Sequence, residues 1–225
     1  MPSRFGDQLL LAVADGIGPD DKAVLAAKTA VQILTRVFEQ TGAGGNPAYF
    51  FMNGFRGANS TILRYIPDSA AGASLLGAAI KGGRLYYALA GSCKISVLRG
   101  GKLYDLSEGH TFDVLARRAF QKKEINREEA LEAVKQKRLY NFVGKDGFRD
   151  LEMFDTPVTL RKGDVILITT DGVHDFIETC ELERMLSKKR MPCGALAGRI
   201  IGRLESRDCP DQEDATVIVA RVNAI

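Results

Sequence analysis

The sequence predicts an α+β protein, a sandwich of β-strands with helices packed outside it. Three observations carry this expectation: strand-like segments come in blocks, helical segments come in pairs, and the regular βαβ alternation of a doubly wound sheet is absent. The chain has 225 residues, 45% of them hydrophobic and 26% charged, so it can bury a sizeable core and lacks the composition of a disordered or collagen-like chain. It reads as one domain, residues 1–225, with no internal repeat, low-complexity tract or linker.

Leu9-Leu10-Leu11-Ala12-Val13-Ala14 is a continuous apolar run closed by Asp15-Gly16, which predicts a strand buried on both faces and ended by a turn. From Asp21, apolar residues recur at three- and four-residue steps through Val24, Ala27, Ala30-Val31, Leu34 and Val37-Phe38. That spacing predicts an amphipathic helix ending before Gly42-Ala43-Gly44-Gly45. Phe50 to Tyr65 is read as a second helix, although its period is not clean. Gly72 to Lys81, Arg84 to Ala90 and Lys94 to Arg99 are apolar runs separated by glycine turns, and with Lys102-Leu103-Tyr104 they predict a meander of antiparallel hairpins. Thr111 to Lys137 returns to helical spacing, with Ile125-Asn126 as an N-terminal boundary inside it. Asp164 to Thr170 is β-branched and apolar, predicting a strand stopped by Asp171-Gly172. Helices are expected around Cys180 to Lys188 and Cys193 to Leu204, and Ala215 to Val222 closes the chain as a strand.

Several function classes are disfavoured. A net charge of +3 is too slight to indicate nucleic acid or an anionic membrane as partner. Cys93, Cys180, Cys193 and Cys209 are far apart and without a Cys-x-x-Cys pair, so packing cysteines are expected rather than a zinc site or disulfide framework. The apolar run at Leu9 is too short for a secretory or membrane-spanning segment, and a soluble, cytoplasmic protein is expected. Gly42-Ala43-Gly44-Gly45-Asn46 follows no strand and lacks a Gly-Lys-Ser/Thr ending, which favours a plain loop over a phosphate cradle. His110 and His174 are read as surface or turn residues, His174 with a minor role beside Asp171. Lys188-Lys189-Arg190 reads as a solvated helix end. Arg117-Arg118 and Lys122-Lys123 fit a charged helix face or a contact with an anionic substrate.

The chemistry lies in a coincidence of strand ends. Ala14-Asp15-Gly16 and Thr170-Asp171-Gly172 end two strands alike, and a third acidic cluster, Asp211-Gln212-Glu213-Asp214, precedes the last strand. Carboxylates beside glycines, which let a backbone carbonyl approach a ligand, suit hard cations such as Mg²⁺ or Mn²⁺. Each Asp-Gly taken singly is most often only a turn.

The order of these segments resembles the metal-dependent protein phosphatases, the PPM-type or type 2C serine/threonine phosphatases, over nearly the whole chain. Leu11-Ala12-Val13-Ala14-Asp15-Gly16-Ile17-Gly18 is similar to the family's strand ending in Asp-Gly-Met-Gly-Gly, and Gly72-Ala73-Ser74-Leu75 to its Gly-Thr-Thr strand start. Gly91-Ser92-Cys93-Lys94 resembles Gly-Asp-Ser-Arg, and Leu106-Ser107-Glu108-Gly109-His110 resembles Leu-Thr-x-Asp-His. Ile125-Asn126-Arg127-Glu128-Glu129-Ala130 fits the flap-region helix. Gly163-Asp164-Val165-Ile166-Leu167-Ile168-Thr169-Thr170-Asp171-Gly172 carries the most specific likeness, and Glu213-Asp214-Ala215-Thr216-Val217 resembles the terminal Asp-Asn-x-Thr-Val.

The resemblance implies a four-layer αββα sandwich of two antiparallel sheets flanked by helices, with two Mg²⁺ or Mn²⁺ ions between the sheets activating a water. It implies that Asp15 bridges the cations, that Gly16 offers its carbonyl, and that Asp171 and Glu213 complete one cation's shell, with Asp214 the next ligand if the register slips. Asp15 and Asp171 are thus the catalytic candidates. A phosphorylated protein substrate and a cognate serine/threonine kinase are the implied partners.

The chain departs from the pattern at four places. The family's Arg-x-x-Asn-Glu/Asp-Asp motif has no counterpart ahead of Leu9, where Arg4 and Asp7 have the wrong spacing, and no strand is expected there to complete the sheet edge. Ser92 stands where the family has an aspartate, Glu213 replaces an aspartate, and Pro19 replaces the second glycine of Gly-Gly. These departures supply the alternative expectation, a catalytically weak pseudophosphatase serving as an interaction module. An anti-sigma-factor-type phosphatase is a further variant of the leading one.

Overall fold

In a computed structural model, residues 1–66, 71–134, 138–148, 150–207 and 213–224 are described, the side chains of Asp20 and Val134 excepted. The apolar run at Leu9 forms β2 (Gln8–Ile17), which lies between β1 (Pro2–Phe5) and β3 (Gly72–Lys81), antiparallel to both. β1 corrects the expectation of an open edge: it is four mostly exposed residues, too few for any period to show, paired from Pro2↔Leu11 to Phe5↔Gln8. The sheet continues through β4 (Arg84–Ala90), which pairs with the two-residue strands β7 (Glu152–Met153) and β8 (Val158–Thr159).

The expected meander is corrected here. β3 and β4 form one hairpin, but the chain then changes sheets at Gly91-Ser92-Cys93. β5 (Lys94–Arg99) and β6 (Lys102–Asp105) belong to a second sheet, ordered β10-β9-β5-β6, with β9 (Val165–Thr169) and β10 (Val217–Arg221). Alternation of apolar residues reports that a segment is a strand but not which sheet it joins.

Three apolar layers hold four layers of structure together. α1 (Asp20–Thr41) and α2 (Pro47–Tyr65) cover the first sheet, burying Leu34, Phe38, Phe51 and Phe55 against Leu10, Ala12 and Leu75. Each of these phenylalanines is fully buried, which stabilises the fold by roughly 2–3 kcal/mol per side chain. Between the sheets, Val13, Leu76 and Leu89 meet Ile95, Ile166 and Ile168. α6 (Thr179–Leu186) and α7 (Cys193–Glu205) cover the other sheet through Leu182, Leu186, Ile200 and Leu204, which pack on Val165 and Leu167. The expected αββα sandwich is therefore observed.

The segment expected to be helical from Thr111 to Lys137 divides into α3 (Phe112–Gln121) and α4 (Arg127–Val134); the rest of that range, 135–137, lies outside the described residues. Asn126 marks the second start as read. Its side chain accepts from the Glu129 N–H at 2.9 Å while its own N–H donates to the Glu129 carboxylate at 2.8 Å, a reciprocal cap. Asp171-Gly172 differs from the expected turn, because it opens a single helical turn, α5 (Asp171–His174). Among the described residues no helix is long and apolar enough to cross a membrane.

Candidate active site

β2 and β9 belong to different sheets, yet their C-terminal ends converge. Asp15 lies near the end of β2 opposite Ser74 of β3. Asp171 follows β9 and begins α5. Glu213 and Asp214 are drawn to the same place by a clasp just ahead of β10: the Thr216 N–H donates to Thr170 Oγ1 at 2.9 Å, and the Thr170 N–H donates to the Thr216 carbonyl at 3.1 Å. Gly172 makes this approach possible, since a Cβ there would stand 2.4 Å from the Asp214 carbonyl oxygen and 3.0 Å from that of Glu213. A Cβ on Gly16 would meet the Ala23 carbonyl oxygen at 2.5 Å, so that glycine seats the strand end against α1.

The carboxyl groups of Asp15 and Asp171 share a hydrogen bond, and Asp15 is pushed up to about 7. Burial is the largest cause, followed by the charge and hydrogen bond of Asp171 and the charges of Glu213 and Asp214. No described residue gives Asp15 or Asp171 a salt bridge. An uncompensated carboxylate pair with two further acids beside it is a hard-oxygen donor set that suits Mg²⁺ or Mn²⁺. No three His, Cys, Asp or Glu side chains among the described residues form a ready-made metal cage; the convergence is that of a pair with acids around it.

Asp171 is itself held on both oxygens. The Gly172 N–H donates to Oδ1 at 3.0 Å, and the Ser92 hydroxyl donates to Oδ2 at 2.8 Å. Gly91 has φ +116, a conformation that favours glycine, and a Cβ there would fall 2.3 Å from Ser74 Oγ. Ser74 is fully buried. In the sequence it belongs to the Gly72-Ala73-Ser74-Leu75 motif, which gives it no role of its own; its signal is a lone hydroxyl in the apolar run from Gly72 to Ile80.

Asp15, Gly16, Asp171, Glu213 and Asp214 all line one cavity of about 1470 Å³. Asp211 lies outside the described residues, as does Cys209. Four cations share the cavity wall: Lys28, Lys94, Arg117 and Arg138. Lys94 pairs with Asp105 at 3.3 Å and Arg117 with Asp113 at 3.1 Å, whereas Lys28 and Arg138 have no carboxylate partner among the described residues. His174, read as a surface or turn residue, is instead half-buried in α5; it lines the cavity, with Nδ1 3.0 Å from Thr169 Oγ1, and its pKa is lowered first by burial and then by Lys94.

Other candidates are placed elsewhere. Arg4, Asp7, Arg118, Lys122, Lys123 and the run Lys188-Lys189-Arg190 do not line the cavity. Asn46 caps α2 by accepting from the Tyr49 N–H at 3.2 Å, which accounts for the end of the Gly-rich loop. The reading of His110 as a surface or turn residue is corrected, because it is 5% exposed. Its Nδ1 accepts from the Gly91 N–H at 3.2 Å, which fixes a neutral ring, and burial lowers its pKa to about 4. Cys93 packs between the sheets at 1% exposure with its thiol pushed well up by burial, as expected of a packing cysteine.

No family model matches the chain. A serine/threonine phosphatase, stp, of Listeria monocytogenes is 23% identical over 191 residues, covering 82% of this chain and 74% of the relative. Among solved structures, the serine/threonine phosphatase of S. agalactiae is similar with a TM-score of 0.81 at 17% identity, over 97% of this chain and 90% of that one. The catalytic domain of the serine/threonine protein phosphatase PstP, in complex with two manganese ions, gives a TM-score of 0.75 at 24% identity, over 96% and 88% of the two chains. The fold that the sequence resemblance implied is thus the fold observed.

Proposed function

We propose that this chain, a divergent relative of the PPM-type serine/threonine phosphatases, is a cation-dependent hydrolase of phosphoserine and phosphothreonine in proteins. The observation that carries the reading is the meeting of Asp15 and Asp171, carried by different sheets, as an uncompensated carboxylate pair on the wall of a large cavity. We read residues 1–225 as one catalytic unit, since the pair depends on both sheets.

Asp15 would bridge the cations, with the Gly16 carbonyl, Asp171 and Glu213 as further ligands and Asp214 beside them. When bound, divalent cations at such a centre lower the pKa of a water and neutralise charge on the phosphoryl group. Mn²⁺ or Mg²⁺ suits the all-oxygen donor set, and the manganese bound by the structural neighbour PstP supports that choice. Lys28 and Arg138 line the same cavity and have no carboxylate partner among the described residues, and we assign them to hold the phosphoryl oxygens of a substrate. Lys94 and Arg117 already have carboxylate partners and contribute less. A cognate serine/threonine kinase is the partner that such an activity implies.

The test is hydrolysis of p-nitrophenyl phosphate and of a phosphothreonine peptide with Mn²⁺, with Mg²⁺ and with EDTA, beside Asp171→Asn. Turnover that needs a cation and disappears in the variant supports the assignment. Equal turnover in EDTA, or in the variant, would sink it.

A further inference from the structure

The three side chains Ser74, Ser92 and Asp171 come from β3, from the crossing between the sheets and from the first residue of α5. Ser92 Oγ lies 2.8 Å from Asp171 Oδ2 and 3.1 Å from Ser74 Oγ, and the Ser92 N–H donates to Ser74 Oγ at 3.1 Å.

The protons can be assigned by elimination. The Ser92 hydroxyl donates to Asp171 Oδ2, and a hydroxyl has one proton to give. The proton of Ser92 therefore goes to Asp171. The proton of Ser74 must then go to Ser92 Oγ, while a Ser74 lone pair takes the Ser92 N–H. The chain runs in one direction, from the Ser92 N–H through Ser74 and Ser92 to Asp171, and every donor in it is used. Ser74 is fully buried, and only a glycine at position 91 leaves space for its hydroxyl at this point. Such a chain fixes the rotamer of the carboxylate it ends on.

We infer that Ser92, backed by Ser74, is the positioning residue for Asp171, holding that carboxylate in one orientation for cation binding. This rests on the reading of Asp171 as a cation ligand. In the sequence Ser92 looks like a weakened ligand standing in for an acid; in the structure its hydroxyl is committed to the neighbouring ligand instead.

The test measures Mn²⁺ affinity by calorimetry on the full chain, for the unaltered protein and for Ser92→Ala, Ser92→Thr, Ser74→Ala and the double alanine variant, each checked for folding by circular dichroism. Loss of a group that orients a metal ligand typically weakens metal binding by about 10- to 100-fold. Ser92→Ala is expected to weaken binding about tenfold. Ser92→Thr keeps the hydroxyl and is expected to restore it. Ser74→Ala is expected to weaken binding a few-fold, and the double variant to bind no more weakly than Ser92→Ala, because Ser74 acts only through Ser92. Unchanged affinity in Ser92→Ala, or equal loss in the alanine and threonine variants, would overturn the inference while leaving the phosphatase reading in place. Absence of Mn²⁺ binding by the unaltered chain would overturn both.

Discussion

Asp164 and Asp171 stand at the two ends of β9, and their surroundings are opposite in kind. Asp164 is 2% exposed and receives Arg99 on both oxygens, at 3.0 Å and 2.6 Å, together with the Arg161 N–H at 2.7 Å. Burial alone would raise its pKa, but those hydrogen bonds and charges outweigh burial and hold it below the usual carboxylate range. Asp171 receives a hydroxyl and an amide but no cation among the described residues, and the remaining carboxyl group against it is that of another acid, Asp15. The same residue type flanking the same strand meets an arginine at one end and another acid at the other. A buried charge that has found its countercharge holds the fold together; one left without it marks where a cation or substrate is due.

The sharpest way to break this contrast is to neutralise both ends in turn. Asp171→Asn is expected to cut cation-dependent turnover by about 1000-fold or more, the scale of several kcal/mol of lost charge stabilisation, with no loss of melting temperature because it relieves repulsion against Asp15. Comparable melting losses in Asp171→Asn and Asp164→Asn would erase the distinction. Next in size is Arg99→Met, which strands the buried Asp164 charge and is expected to cost about 3 kcal/mol in urea denaturation, with Mn²⁺ affinity unchanged.

Gly172→Ala tests the approach of the acidic segment. The clash with the Asp214 carbonyl is expected to cost about 1–3 kcal/mol, and calorimetry should show weakened Mn²⁺ binding as Glu213 and Asp214 are displaced. Smaller still is an acid effect at His110. Its folded pKa of about 4 lies below the ordinary 6.5, so the unfolded chain takes up the proton first. Its contribution to stability is complete above pH 6.5 and is lost as pH falls towards 4; urea denaturation across that window should show the decline, and His110→Asn should flatten it. Smallest of all is Arg117→Ala, whose exposed i,i+4 pair with Asp113 is expected to change stability by about 0.5 kcal/mol or less, fixing the scale against which Arg99 is read.

Periodicity and turn residues made most of the architecture legible before any coordinates. α1, α6, α7, β2, β9 and β10 each carry an apolar pattern long enough to specify its type, and Asn126 with Glu129 spells a helix start in two side chains. What escaped had physical reasons. β1, β7 and β8 are too short for a period, and α5 is one turn long. The passage from the first sheet to the second after Ala90 leaves no trace in local pattern, because Lys94–Arg99 alternates equally well in either sheet. At the site, the acids were legible as strand-end Asp-Gly pairs. Ser92 as a donor was not, since its acceptor lies 79 residues further along the chain. The burial of His110 was not legible, because isolated histidines are most often exposed and its surroundings depend on Gly91 and on Tyr140, whose ring meets its own edge-on at 5.3 Å.

The crossing at Gly91-Ser92-Cys93 has a mechanical consequence. Ser92 sits on the covalent step between two stacked sheets, with Cys93 wedged into the layer that separates them. The Ser92–Asp171 hydrogen bond therefore spans the step from one sheet to the other. The hydrogen bond is thus a local reporter on the spacing of the two sheets, and hydrostatic pressure, which compresses the apolar layer, is expected to shift the Ser92 and Gly172 amide resonances.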